Sequence, residues 1–337
     1  MKRFALLGAL LALAVSAGSA LATPPSGVSA SVLARGTNQT PQLLSAVANR
    51  DIVTTQFTLA PGATTGWHTH SGATTVVVTS GVLSYWRTPD CIKRTLEAGD
   101  SVNLSDAVIS PGSGPGLDLA RNEGTVPVTV MVTAVNMPVG SNELLTPVSS
   151  TPCAAAPQEF APAGTITATA IARGTLASAL SIDVAASTDI LNQTVTIAPG
   201  GSTGWHGHPG TTMVAVSAGT GTFVHQDCTT TTHAAGTAFL DTPGTTHNFR
   251  NDGTVPLVIH ATYVNVPVAG VFRLDRDAPA CAGTAGAAAP AAAALPNTAT
   301  GSDIASSLLP LLAVAVLLSS GAGVALAWIG YRRQRIG

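Results

Sequence analysis

Two short stretches hold four of the eight histidines of the chain: GWHTH at residues 66–70 and GWHGH at residues 204–208. Two histidines separated by one residue point to the same side of an extended strand, so both imidazoles can reach one ion. Imidazole is a common ligand of divalent transition metals. The two stretches therefore predict two candidate metal sites, each of which needs a further ligand from another strand.

The third ligands are expected further along the chain. His247 is the candidate that joins His206 and His208. Three neutral imidazoles with open coordination positions form a catalytic-type site for divalent Fe, Mn, Zn, Ni or Cu, and the residues do not choose among these ions.

In the first half of the chain, Asp118 holds the position that matches His247. With His68 and His70 it makes the two-His-one-carboxylate set of non-haem iron enzymes. The segment that contains Asp118 is longer than its counterpart by several residues. This length predicts that Asp118 falls short of the ion and that the first site is weakened or structural.

The sequence repeats itself over most of its length. The matching pairs are residues 33–37 with 171–175, 57–70 with 195–208, 121–130 with 250–259, and 135–140 with 264–270. Because their order is preserved, the pairs indicate a duplication with copies of roughly one domain each. We expect the domains at residues 31–153 and 164–281, on either side of an Ala- and Pro-rich seam.

Within each copy, short β-branched and apolar runs alternate with turns that contain Gly and Pro. Short strands at regular spacing predict an all-β sandwich or barrel. Only 9% of the residues are charged, and the formal net charge is −2. A nucleic-acid surface needs clustered Lys and Arg, so no nucleic-acid partner is expected.

The spacing of these residues resembles two motifs of the cupins, β-barrels of the double-stranded β-helix type. In the second copy the matching residues are Gly200, His206, His208 and Gly219 for the first motif, and Gly236, Pro243, Gly244, His247 and Asn251 for the second. In the first copy, Gly62, His68, His70 and Gly81 match the first motif, and Gly99 and Asn122 match part of the second. The resemblance implies two tandem jelly-roll barrels, as in a bicupin.

One ligand of the family is missing from both motifs. Thr74 and Thr212 stand where cupins carry a glutamate, which is a metal ligand in many cupin enzymes. The resemblance therefore implies a three-His site in the second copy, and it argues against activity like that of oxalate oxidases or decarboxylases.

The four cysteines follow the same repeat. Cys91 and Cys228 lie at matching positions within the copies, and Cys153 and Cys281 lie at their ends. In an exported protein an even number of cysteines predicts disulfides, and four allow three pairings. The repeat favours Cys91–Cys153 and Cys228–Cys281, because each bridge then closes one domain on its own tail.

Both ends of the chain have the composition of targeting segments. Residues 1–22 combine Lys2 and Arg3 with an apolar run and end in small residues, which predicts a cleaved signal peptide. Residues 308–330 carry no charge and are long enough for a transmembrane helix. The basic tail at residues 331–337 is expected on the cytoplasmic side.

The residues before this span resemble the cell-wall sorting signal of Gram-positive surface proteins. They are Leu295, Pro296, Asn297, Thr298 and Ala299, where the commonest form of the signal ends in glycine. The resemblance implies cleavage by a sortase after Thr298 and transfer to peptidoglycan, while residues 282–294 form an Ala- and Pro-rich tether. The expected location is the wall or membrane at the outer face of a Gram-positive bacterium. A plain membrane anchor is the alternative.

Three functions stay open at this point. The first is a metal-binding surface protein, whether or not it is an enzyme. The second is an extracellular metal-dependent oxidoreductase, dioxygenase-like, that acts on an unknown small molecule. The third is a non-catalytic binding or surface-structural protein. His260 lies in an apolar strand away from the motifs and is expected to be a buried core histidine.

Overall fold

The computed structural model describes residues 23–104, 116–149 and 153–280. The predicted signal peptide, tether, sorting signal, membrane span and basic tail lie outside these ranges, as does Cys281. Among the described residues, no helix has the length and apolar character needed to cross a membrane.

The described part of the first repeat forms eleven strands. They are β1 (Ser26–Asn38), β2 (Gln42–Ala46), β3 (Asp51–Leu59), β4 (His68–His70), β5 (Thr74–Ser80), β6 (Val82–Arg87), β7 (Arg94–Glu97), β8 (Asp100–Leu104), β9 (Asp118–Arg121), β10 (Val128–Met137) and β11 (Leu145–Pro147). Glycines with positive φ turn the chain between several of them, among them Gly81 between β5 and β6.

The second repeat forms eleven strands at matching places. They are β12 (Ile166–Leu176), β13 (Leu180–Val184), β14 (Asp189–Ser202), β15 (His206–Gly207), β16 (Thr212–Ala218), β17 (Thr220–Val224), β18 (Thr230–Ala234), β19 (Thr237–Asp241), β20 (Asn248–Arg250), β21 (Leu257–Val266) and β22 (Leu274–Asp275). The described residues contain no α-helix. The predicted all-β fold with two tandem jelly-roll barrels is thereby confirmed; the exact domain limits stay a prediction.

The first strands of the two repeats are exchanged between the barrels. β1 pairs antiparallel with β14 of the second repeat, and β12 pairs antiparallel with β3 of the first. Only the last two residues of β1 and of β12 return to their own repeats, where they pair in parallel with β8 and β19. Neither repeat therefore completes its sheet from its own residues.

An ion pair with a buried aspartate holds each exchanged strand in place. Arg35 of β1 donates from Nε to Asp189 Oδ2 at 2.6 Å, and Thr37 donates to Oδ1 of the same carboxylate at 2.8 Å. The equivalent contacts in the other barrel join Arg173 and Thr175 to Asp51. The repeated Ala-Arg-Gly-Thr sequence thus supplies the cation and the hydroxyl that fasten one repeat to the other.

The apolar core consists of one cluster between the two barrels and one cluster inside each barrel. One cluster draws on both repeats, with Ile52 and Met131 from the first and Ile190 and Met213 from the second. Each barrel also has its own interior cluster. The shared cluster joins the barrels into one compact unit, because separating them would expose apolar surface to water.

A disulfide closes the first barrel on its tail. Cys91 is bonded to Cys153 with a Cα–Cα distance of 5.4 Å, the pairing that the repeat favours. It lies beside the buried side chains of Trp67, Trp86 and Leu119. Cys228 is also disulfide-bonded, and its predicted partner lies outside the described residues.

Candidate metal centres

The glycine of each GWHxH stretch sets the direction of the strand that carries the histidines. Gly66 and Gly204 have φ values of +66° and +69°, in the left-handed region that side chains disfavour. A Cβ at Gly66 would come within 2.7 Å of the Ala161 backbone, and one at Gly204 within 2.1 Å of the Thr23 carbonyl oxygen. No other residue fits at either position without moving the backbone.

Backbone carbonyls orient the histidines toward the barrel interior. Nδ1 of His68 lies 2.9 Å from the Gly66 oxygen, and Nδ1 of His206 lies 2.9 Å from the Gly204 oxygen. His208 makes the same kind of contact with the Phe272 oxygen at 2.6 Å. A carbonyl can only accept, so each of these Nδ1 atoms carries a proton, and in the neutral rings of His206 and His208 the Nε2 atom keeps a lone pair for a ligand.

The third group of each site lies directly across from the first histidine. His206 and His247 form an antiparallel bridge, and His68 forms the matching pair with Asp118. Residues directly opposite each other have neighbouring side chains on one face. The sheet register thereby completes both candidate sites.

In the second barrel, the three histidines converge as the sequence predicts. They are all buried, and one ligand atom from each lies within 4.8 Å of the others. Nε2 of His206 and Nε2 of His247 are 3.2 Å apart. Two nitrogens bound to one ion at about 2.0–2.1 Å are separated by about 2.8–3.4 Å at octahedral to tetrahedral angles. The spacing therefore fits a shared divalent ion.

In the first barrel, Asp118 joins the histidine pair. Its Oδ1 lies 3.1 Å from His68 Nε2, and its Oδ2 lies 3.2 Å from His70 Nε2. The expectation that the longer segment keeps Asp118 away is wrong, because the pairing of β4 with β9 sets its position. Much of the intervening segment, residues 105–115, lies outside the described residues.

The histidines of the second barrel are held in the form that binds metal. Burial lowers the pKa of His208 to about 4 and lowers the pKa values of His206 and His247 well below the ordinary value. The positive charge of Arg273 adds to each shift. Neutral imidazoles keep the lone pairs that a metal ion needs, so protons compete little at neutral pH.

The carboxylate of the first barrel is held in its charged form. Burial by itself would raise the pKa of Asp118, but the imidazoles of His68 and His70 outweigh this and lower it below the usual range. A buried carboxylate needs compensating positive charge. A divalent ion between these three groups would supply it.

The space around the two sites differs in chemistry. The first site lies at a cavity of about 70 Å³ with apolar walls that include Val76, Leu96, Leu104 and Val132. Volumes of this size admit only a few non-hydrogen atoms. The first cavity therefore fits a small, largely apolar ligand.

The second cavity, of about 50 Å³, adds polar groups to the histidines. Burial raises the pKa of Tyr263, which keeps its hydroxyl protonated, and this hydroxyl donates to Gln193 Oε1 at 3.0 Å. The Gln193 amide nitrogen has no hydrogen-bond partner among the described residues. Arg273, 6% exposed, also lines the cavity. These groups favour a small ligand with oxygen acceptors.

Sequence reasoning missed four polar residues of the second cavity: Gln193, Asp241, Tyr263 and Arg273. None belongs to a recognisable motif. A comparison of the two copies gives one signal, because Thr55, Leu104, Ala134 and Leu145 hold the matching positions in the first copy. Polar-for-apolar differences at these places point to a site whose surroundings differ between the copies.

Part of the chain matches a known family. Residues 193–263 match the profile described as a cupin domain. The match covers β15 to β20 with parts of β14 and β21, and so includes His206, His208 and His247. The second repeat therefore contains a cupin domain, and the fold is two tandem barrels of the cupin type.

Solved structures of a bacterial enzyme resemble much of the chain. A mutant form of Bacillus subtilis oxalate decarboxylase has 13% identity and a TM-score of 0.34, with 67% of this chain and 74% of that chain covered. The structure of the B. subtilis enzyme at pH 4.6 has 13% identity and a TM-score of 0.32, with 68% and 74% covered. At these values the likeness assigns neither metal nor substrate to this chain. No curated protein gives a significant match to the sequence.

Proposed function

We propose that this chain is an exported metal-binding protein of the cell surface, in which each barrel binds one divalent transition ion. The observation that carries the proposal is the convergence of three buried, neutral histidines in the second barrel. The three buried imidazoles bring their ring nitrogens close enough together for one divalent cation to bind all three. The first barrel supports the proposal with His68, His70 and Asp118.

Metal content tests this function directly. The full chain, purified in detergent without a His-tag or chelators, is expected to retain or take up ions when exposed to Fe, Mn, Zn, Ni or Cu. Inductively coupled plasma mass spectrometry then gives ions per chain. A protein that stays metal-free after exposure to all five ions would support the third candidate function, a binding or structural role for the barrels alone.

A second candidate is an oxidoreductase of the dioxygenase class acting on a small molecule. The observation that favours it is the two-His-one-carboxylate set of the first barrel, which is the ligand set of many non-haem iron oxygenases. The apolar cavity beside it would exclude water from a reactive centre.

Oxygen consumption separates this candidate from simple metal binding. Iron-loaded protein should consume O₂ only when a small molecule from a panel is present, and Asp118→Ala should abolish that uptake. A His206→Ala control tests whether the second barrel contributes. Absence of substrate-dependent O₂ uptake across the panel would leave metal binding without oxygenase activity.

Attachment to the surface is the third part of the proposal. It rests on the order of sorting pentapeptide, apolar span and basic tail in residues 295–337. Replacing Leu295 and Pro296 by alanine should move the protein from the peptidoglycan fraction to the membrane or medium. Unchanged covalent linkage to the wall would refute the sorting signal, and absence of linkage in the parent would favour a plain membrane anchor.

A further inference from the structure

Asp241 is a buried carboxylate beside the three histidines of the second barrel. It ends β19 and is 4% exposed. Its Oδ2 lies 3.4 Å from His208 Nε2, and its Oδ1 lies 3.3 Å from His247 Nδ1. Oδ1 accepts a hydrogen bond from Thr245, whereas Oδ2 has no hydrogen-bond partner among the described residues. A buried carboxylate oxygen without a donor is costly unless a cation balances it.

The sheet register places Asp241 where a motif ligand is missing. Asp241 is paired directly with Thr212 across β19 and β16. Thr212 occupies the position at which cupins carry a ligand glutamate. Directly opposed residues have Cβ atoms about 4.5–5.5 Å apart on one face, so a carboxylate on either strand reaches the same space.

In the first barrel, the carboxylate beside the histidine pair comes from a different strand. The matching cross-strand pair is Thr74 with Leu104, so β8 offers no carboxylate there. The carboxylate is Asp118, which stands at the position of His247. Each barrel thus combines one histidine pair with one carboxylate, taken from β9 in the first and from β19 in the second.

We propose that Asp241 is a ligand of the second metal site, bound through Oδ2, and that the site is a three-His-one-carboxylate set. The distance from Oδ2 to His208 Nε2 falls at the upper end of the separation of about 2.8–3.4 Å between donors on one ion. The inference rests on the proposed function, since it requires that the second barrel binds metal.

The experiment compares three variants in a His68→Ala background, which removes the first site. Asp241→Asn should weaken Zn²⁺ and Mn²⁺ binding in a competition titration against a chelating dye by more than about a hundredfold, which exceeds the loss of about ten- to a hundredfold typical of a residue that only orients a ligand. Asp241→Leu combined with Thr212→Glu returns a carboxylate from the opposite strand and should restore affinity to within a few fold. Asp252→Asn removes an exposed carboxylate of the same barrel and should leave affinity unchanged.

The outcomes separate the inference from the function on which it depends. Metal binding in the parent with equal affinity in Asp241→Asn would overturn the role of Asp241 alone. A loss that Thr212→Glu does not restore would make Asp241 a residue that positions the histidines and would also overturn ligation. If Asp241→Asn does not fold, the double variant decides by itself. A parent that binds no metal would overturn the proposed function and the inference together.

Discussion

The two barrels of this protein hold metal-ligating groups at matching positions and surround them with different chemistry. In the first, Thr55, Ala134 and Leu145 stand where the second has Gln193, Tyr263 and Arg273. The first cavity is therefore apolar, whereas the second offers hydrogen-bond donors and a guanidinium. The comparison shows that duplication preserved the scaffold of the site while the walls diverged.

The charge of the two sites also differs. Asp118 is negative in the first barrel, while Arg273 brings positive charge close to the three histidines of the second. A divalent ion would leave the second cavity more positive than the first, which favours different ligands in the two barrels. One chain thus presents two candidate sites with different ligand preferences.

The two barrels depend on each other for strands. Each lends its first strand to the other, so loss of either strand should damage both. This predicts that the two sites differ in chemistry but unfold together.

The largest expected effect tests this shared part. Asp189→Ala leaves Arg35, 10% exposed, without its carboxylate at the exchanged strand. Removing one partner of a buried ion pair costs about 3–5 kcal/mol of the free energy of unfolding. Urea denaturation of residues 23–294 followed by tryptophan fluorescence should show one transition at lower urea.

The matched control is Asp51→Ala. Its partner Arg173 is 29% exposed and can be hydrated once the carboxylate is removed. The decrease in the free energy of unfolding should therefore be smaller than for Asp189→Ala. Two separate transitions, one for each barrel, would contradict the idea that strand exchange joins their unfolding.

The next effect sharpens the contrast within the first barrel. Replacing Cys91 and Cys153 by serine removes a bridge between residues 62 positions apart. The expected loss is about 2–4 kcal/mol of the free energy of unfolding, because the unfolded chain gains freedom. Fluorescence should report local loosening at Trp67 and Trp86, which pack beside the bridge. Unchanged stability in urea would argue that packing alone holds this tail.

The smallest expected effect is a pH dependence of stability that arises from His260 in the second barrel and has no counterpart in the first. His260 is 2% exposed, and burial lowers its pKa to about 4. The unfolded chain, with a pKa near 6.5, binds the proton first. The contribution of neutral His260 to the free energy of unfolding is therefore fully present above about pH 6.5 and is lost progressively as the pH falls toward 4.

The first barrel carries Met131 at this position, which makes His260→Met the matched variant. Urea unfolding at pH 5 and pH 8 gives the free energy of unfolding of the variant minus that of the parent at each pH. This difference should be about 2 kcal/mol more favourable to the variant at pH 5 than at pH 8. An effect that does not change with pH would show that His260 is not held neutral by the fold.

The sequence allowed the duplication, the all-β class and the convergence of His206, His208 and His247 to be predicted, because repeats and strand periodicity are local signals. The strand exchange could not be predicted, since the alternation in Ser26–Asn38 indicates a strand without naming its partner. Asp241 was missed for the same physical reason. Its place beside the histidines follows from its register with Thr212, which only the folded sheet defines.

The central claim, that the repeated plan of the two barrels holds two metal ions, is tested most directly by counting ions in site-selective variants. The full chain, purified in detergent without a His-tag or chelators, is compared with His68→Ala and His206→Ala by inductively coupled plasma mass spectrometry. We predict about two ions per chain in the parent and the loss of one in each variant. One ion, lost only with His206→Ala, would limit the function to the second barrel. No bound metal after exposure to Fe, Mn, Zn, Ni and Cu would contradict the account.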